Sequence, residues 1–211
     1  MNWALLRGEL AGQGLVLMGL LHEDGETLAL IGTGGGSWPR FCASPEYADG
    51  APDPLDRWSK RVLGDLATRL GAVGSVFPSD GPPYPPFIRW ALASGRFWSS
   101  PVGMLVHDGQ GLMFSLRGAL RFQGMLPLPD QSGPNPCEAC ADQPCLTACP
   151  VGALSNETPY DVEGCKTHLR APEGSDCMTG GCLARRACPV SQISPRDPAQ
   201  SAFHMRAFLQ G

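Results

Sequence analysis

The stretch that decides how this chain is read is Cys137-Glu138-Ala139-Cys140-Ala141-Asp142-Gln143-Pro144-Cys145-Leu146-Thr147-Ala148-Cys149-Pro150. Its four cysteines are spaced x2, x4 and x3, and a proline follows the last. A second set, Cys165, Cys177, Cys182 and Cys188, is spaced x11, x4 and x5 and also ends in Cys-Pro, at Cys188-Pro189. Of nine cysteines only Cys42 lies outside these sets. Near the start, the apolar run from Gly14 to Leu21 is long enough for a signal-peptide core, yet no basic leader or small-residue cleavage site accompanies it. It reads as a buried strand, and the protein is expected in the cytoplasm. In a reducing compartment, clustered cysteines read as metal ligands and not as disulfides.

An iron–sulfur cube needs four thiolates at its corners, and a short loop can supply three of them. In two-cluster ferredoxins the fourth cysteine, followed by proline, ligates the other cluster. The loop here is two residues longer than the usual bacterial pattern, with x4 in place of x2. Crossed connectivity then assigns Cys137, Cys140, Cys145 and Cys188 to one [4Fe-4S] cluster. It assigns Cys149, Cys165, Cys177 and Cys182 to the other. Two zinc sites or a disulfide frame are the alternatives. Zinc favours paired C-x2-C spacing, of which there is one instance, and it gives no reason for two Cys-Pro endings. Cys42 reads as a small core hydrophobe. Lys166, Arg170, Arg185 and Arg186 are placed to offset cluster charge, although each also reads as an ordinary surface cation.

Working outward, 211 residues allow one or two domains. Glycine (27) and proline (21) approach the share typical of unstructured chains, but 43% hydrophobic residues and five tryptophans suffice for a core. The expectation is a loop-rich α+β protein. The cysteines and the proline-rich join at Pro127–Pro136 divide it into residues 1–125, a mixed sheet with helices, and 126–211, a loop-rich two-cluster domain. Sixteen basic residues against twenty acidic ones give a net charge of −4. No basic stripe is present, which argues against nucleic acid, and no apolar run reaches the ~18 residues of a membrane span.

In the N-terminal region, Leu15–Leu21 and Thr27–Ile31 flank a hairpin turn at residues 22–26. A helix is predicted from Pro54 to Leu70, capped by Asp53 and stopped by Gly71, with Leu55, Trp58, Val62 and Leu66 facing the core. Val73–Phe77 reads as a strand and Ile88–Ala93 as a short helix. Val102–His107 and Gly111–Leu116 read as a second hairpin around Asp108-Gly109. The C-terminal region is expected to be mostly loops, closing with a helix from Pro198 to Leu209 capped by Asp197. That helix offers Phe203, Met205, Phe208 and Leu209 for packing.

The Cys149-Pro150-Val151-Gly152-Ala153-Leu154 run resembles a two-[4Fe-4S] ferredoxin module. Isolated Cys165, within Asp161-Val162-Glu163-Gly164-Cys165-Lys166-Thr167-His168-Leu169, is similar to the cluster domain of epoxyqueuosine reductases. Reductive dehalogenases also pair two such clusters with a corrinoid. This likeness spans about residues 134–195. Asp53-Pro54-Leu55-Asp56, and residues 107–118 from His107 to Gly118, resemble CblC-type cobalamin-processing proteins and the catalytic domain of the same reductases. That resemblance implies a nitroreductase-like sheet with a cavity for a base-off corrinoid. Three departures count against a tRNA-modifying role. Asp80 in Pro78-Ser79-Asp80-Gly81-Pro82 only approximates the family's catalytic aspartate motif. The chain stops soon after the clusters, and its net charge is negative.

No nucleophile–base pair is visible, and no catalytic residue is assigned. Gly32-Thr33-Gly34-Gly35-Gly36-Ser37 fits neither phosphate-binding fingerprint and reads as a flexible loop. Pro82–Phe87 reads as a rigid loop lining a pocket, with Tyr84 and Phe87 facing a cofactor. His22, His107, His168 and His204 lack metal-ligand spacing. Two functions fit these features. In one, the protein is a reductase whose clusters deliver electrons to a cofactor or small-molecule substrate, a corrinoid being the named candidate. In the other it is a ferredoxin-like carrier or interaction protein. Both need a redox partner: a ferredoxin, a flavodoxin or a reductase.

Overall fold

A computed structural model describes residues 1–131 and 133–211. The strands are β1 (Leu15–Glu23), β2 (Glu26–Thr33), β3 (Gly74–Val76), β4 (Phe97–Ser99), β5 (Leu105–His107) and β6 (Leu116–Gln123). The helices of the N-terminal half are α1 (Trp3–Gly12), α2 (Ser37–Cys42), α3 (Pro45–Ala48), α4 (Pro54–Leu70) and α5 (Phe87–Ala93). Those of the C-terminal half are α6 (Val162–Arg170), α7 (Ser175–Gly180), α8 (Leu183–Ala187), α9 (Pro189–Ile193) and α10 (Pro198–Gln210). The fold is α+β. No helix among the described residues is long and apolar enough to cross a membrane.

The chain forms two compact units, and they interleave along the sequence. One takes residues 1–96 and 115–133, the other 97–114 and 134–211. The boundary read from cysteine distribution puts residues 97–114 in the first region. In the structure they are an excursion that packs with the cysteine-rich segment.

The first unit is an antiparallel sheet in the order β1-β2-β6-β3. The β1–β2 hairpin forms where the sequence predicts it. Asp24 and Gly25, both at positive φ, make the tight turn that matches strand twist. From Thr27 to Thr33 every residue of β2 is buried, as in a strand covered on both faces. Helix α4 keeps its predicted bounds and stops at Gly71, where φ is +67°. Leu55, Trp58, Val62 and Leu66 are all buried, each contributing about 1.5–3 kcal/mol.

Asp53 corrects its predicted role. It sits in the left-handed region at φ +53° and makes no side-chain cap; its carbonyl accepts from Arg57 N–H at 3.0 Å. Helix α1 goes unpredicted, its buried face carried by Leu6 and Leu10 alone.

In the second unit, β4 pairs with β5, so Val102–His107 and Gly111–Leu116 do not form the expected hairpin. The Asp108-Gly109 turn closes only an isolated bridge, His107 to Gly111. Leu116 belongs to β6 in the other unit's sheet. The cysteine-rich segment is also less loop-like than expected, because α6 to α9 occupy most of residues 162–193. Helix α10 starts as predicted, with the Asp197 carboxylate accepting from Ala199 N–H at 2.8 Å.

Candidate metal centres

The core of the second unit is built around cysteine. Val102, Val106, Leu112, Cys145, Leu154, Ala184 and Cys188 form one buried cluster, with Cys137 and Cys182 packed against it. Three polar clamps hold the 97–114 excursion there. Arg185 on α8 donates to the Leu112 and Phe114 carbonyls, at 2.5 and 3.0 Å. Arg196 donates to the Met113 carbonyl, and Leu112 N–H donates to Ser191 Oγ at 2.9 Å. Gly111 makes the approach possible. It has φ +59°, and a Cβ there would sit 2.4 Å from Ser191 N.

Two cavities of this unit are lined by its cysteines. The first encloses about 420 Å³ of atom-free space including its open side, and Cys137, Cys140, Cys145 and Cys188 line it with Ser100, Pro101, Val106 and Leu112. The second, about 350 Å³ on the same measure, is lined by Cys149, Cys165, Cys177 and Cys182 together with Tyr160, His168 and Met205. The division of cysteines coincides with the crossed order, in which each Cys-Pro cysteine goes to the far set. The short Cys145–Cys149 segment runs from the first cavity to the second, and α8 runs back from Cys182 to Cys188. Leu154 and Ala184 belong to the apolar cluster beside the first cavity and also line the second.

The thiols within each set feel one another. Burial pushes Cys137 above the ordinary thiol value, and the neighbouring Cys145, Cys188 and Cys140 push it further. Burial likewise raises Cys145, with Cys188 next in effect. In the second cavity burial raises Cys165, the Tyr160 hydroxyl opposes it, and Cys182 and Cys149 add to it. Burial also raises Cys177, with Cys182 adding and Arg186 opposing. Burial and neighbouring thiols thus drive Cys137, Cys145, Cys165 and Cys177 toward the neutral form. A cationic centre bound by such thiols reverses that preference and releases their protons. Backbone donors are already in position: Ala153 N–H points at Cys149 Sγ, 3.3 Å away, and backbone donors also reach Cys145 and Cys177. The residues therefore fit a thiolate-bound group. Among the described residues, no three His, Cys, Asp or Glu side chains converge on one point that would hold a single ion.

The cationic residues divide in role. Arg186 pairs with Asp176 at 2.6 Å and lies close enough to Cys177 to favour its thiolate. Arg185 is primarily the backbone clamp described above, and burial lowers its pKa while Cys182 and Tyr160 raise it. Lys166 Nζ lies 5.5 Å from the centre of the Phe208 ring, and that ring stacks on Tyr160. Arg170 is exposed. Tyr160 borders the second cavity, and burial pushes its hydroxyl strongly upward, with the Cys165 hydrogen bond second. Sequence reasoning passed over Tyr160, as it did Ser100; neither stands in a motif.

The remaining candidates lie elsewhere. Asp80 pairs with Lys60 at 2.8 Å and accepts from Phe77 N–H at 2.9 Å, so its carboxylate is tied into a turn. The Gly32–Ser37 loop is pressed against Gly14, where a Cβ would fall 2.1 Å from the Gly36 carbonyl carbon, and Ser37 Oγ donates to the Gly34 carbonyl. Tyr84 is exposed, Phe87 is buried, and Phe87 borders an open apolar shelf with Pro85, Pro86, Ile88 and Leu92. His22 bonds the Leu126 carbonyl at 2.9 Å. His107 accepts from Gly109 N–H at 3.1 Å, and His204 stands beside Phe203. Cys42 is half-buried at the end of α2. Comparison with protein-family models, with curated proteins and with solved structures returns no match to this chain.

Proposed function

We propose that this protein transfers electrons through two [4Fe-4S] clusters, one held by Cys137, Cys140, Cys145 and Cys188, the other by Cys149, Cys165, Cys177 and Cys182. The observation that carries the reading is the four-and-four division of these cysteines between two cavities of one unit, with both Cys-Pro cysteines crossing over. Bound there, such clusters supply one-electron steps. The chain contributes the thiolates, the N–H groups directed at Cys149, Cys145 and Cys177, and the Arg186 charge near Cys177. Leu154 and Ala184 add an apolar wall that packs with Cys145 and Cys188 and also lines the second cavity.

The proposal includes a ferredoxin-like wrapping of the second unit, a nitroreductase-like lineage for the sheet, and a cytoplasmic setting with a ferredoxin, flavodoxin or reductase as partner. It extends to delivery of electrons to a cofactor or substrate of the first unit, the resemblance naming a corrinoid; a stand-alone carrier is the alternative.

Anaerobically prepared protein should contain about eight iron and eight labile sulfide per chain and give two reducible paramagnetic centres. Stoichiometric zinc without sulfide would overturn the reading. Titration of that loaded protein with cob(II)alamin separates the two versions. A base-off cobalt signal supports a corrinoid-dependent reductase, and an unchanged cobalt spectrum with both clusters reducible supports a carrier.

A further inference from the structure

Ser100 lies in the turn between β4 and β5, and its backbone is fully engaged: its N–H donates to the Met104 carbonyl at 2.8 Å, and its carbonyl accepts from Gly103 N–H at 3.0 Å. Its side chain is in a different position. The residue is 7% exposed, and its Oγ is buried with no hydrogen-bond partner among the described residues. It borders the first cavity beside Cys137, Cys140, Cys145 and Cys188. A hydroxyl sealed from water without a partner is destabilising, and native structures keep few such groups without a reason.

From this juxtaposition we infer that Ser100 is a potential-setting residue of the first site, donating its O–H to a sulfur atom of the cluster proposed there. The inference rests on the proposed cluster reading. The bond involves no proton transfer. Reduction adds negative charge to the cluster and its sulfurs, so an O–H donor is held more tightly in the reduced state and raises the midpoint potential. The second cavity offers a different hydroxyl, that of Tyr160, which lines it together with Cys165. The two sites are therefore set apart by the chain itself. Ser100 also links the excursion at 97–114 to redox function, since the Arg185, Arg196 and Ser191 clamps that hold Leu112 to Phe114 fix the excursion that carries it.

The test is a redox titration of the iron-loaded protein, followed by electron paramagnetic resonance, on the unaltered chain and on Ser100→Ala, Ser100→Thr and Ser100→Val. One midpoint should fall in the alanine and valine variants, stay close to its original value in the threonine variant, and leave the other midpoint unmoved in all three. Threonine and valine match in volume, so their comparison isolates the hydroxyl even where alanine loosens the site. Two unmoved midpoints in the valine variant, or equal shifts for threonine and valine, would overturn the role of Ser100 while leaving the cluster reading intact. Unaltered protein that binds no iron and sulfide would instead overturn the cluster reading itself.

Discussion

Replacing Gly111 by alanine should selectively open the excursion that covers the first cavity. Two costs arise. The backbone at φ +59° places an L-residue in the left-handed region, at about 1–2 kcal/mol. The new Cβ also falls 2.4 Å from Ser191 N, with Ser191 Cα at 2.9 Å. Both atoms are backbone, so relief requires moving α9, and overpacking of this kind adds about 1–3 kcal/mol. Gly152 is the control within the same unit: it has φ +62° and nothing within 4 Å of an added Cβ, so Gly152→Ala incurs only the backbone term. The difference of about 1–3 kcal/mol corresponds to roughly 5- to 150-fold in an opening equilibrium. Amide hydrogen exchange reads it directly. The Leu112 N–H, which donates to Ser191 Oγ, and the His107 and Gly111 N–H groups of the turn should exchange faster by that factor in Gly111→Ala than in Gly152→Ala. Equal protection of those amides in the two variants would refute the close packing of Gly111 on Ser191.

In the first unit, Arg117 is nearly buried and is paired with Asp56, while its Nε donates to Ser59 Oγ at 3.0 Å. Asp56→Ala should cost about 2–4 kcal/mol, because it leaves a buried cation without its partner; the double variant with Arg117→Leu should recover part of that loss in urea titrations read by tryptophan fluorescence. Glu46 is held down to about 2 by its hydrogen bonds from Arg61, against an ordinary value of 4.5. Its folded value is depressed, so its contribution is complete above pH 4.5 and disappears as pH falls toward 2. With half-exposed Arg61 screened by solvent, that contribution is about 1–2 kcal/mol. Glu46→Gln should lose it at neutral pH and flatten the acid limb of the stability profile; an acid limb as steep as before would show that another group controls it.

What could be read from the chain follows physical lines. Helix α4 was legible because Pro54, Gly71 and a run of apolar residues at helical spacing agree, and the β1–β2 hairpin because Asp24-Gly25 sits between two apolar runs. The division of cysteines between two cavities follows the order suggested by the two Cys-Pro endings, since short spacing limits where a thiol can go; their service as ligands is the proposal made above. Strand β4 is illegible because three residues carry no periodicity, and β5, which lies within the expected Val102–His107 strand, is given the wrong partner by the Asp108-Gly109 turn. Asp53 shows that a capping residue type does not guarantee a cap when the local backbone turns left-handed. Ser100 was invisible, because lacking a hydrogen-bond partner is a property of the packed unit and no residue pattern encodes it.

The central claim is tested most directly by paired cysteine variants followed through iron and sulfide content and electron paramagnetic resonance. Cys145→Ala with Cys188→Ala alters one proposed ligand set twice, whereas Cys145→Ala with Cys182→Ala alters each set once. The account predicts that the first pair keeps one complete [4Fe-4S] cluster with its original signal, and that the second pair perturbs both. Two damaged clusters in the first pair, as ligation in simple sequence order would produce, or unchanged iron in either pair, would contradict it.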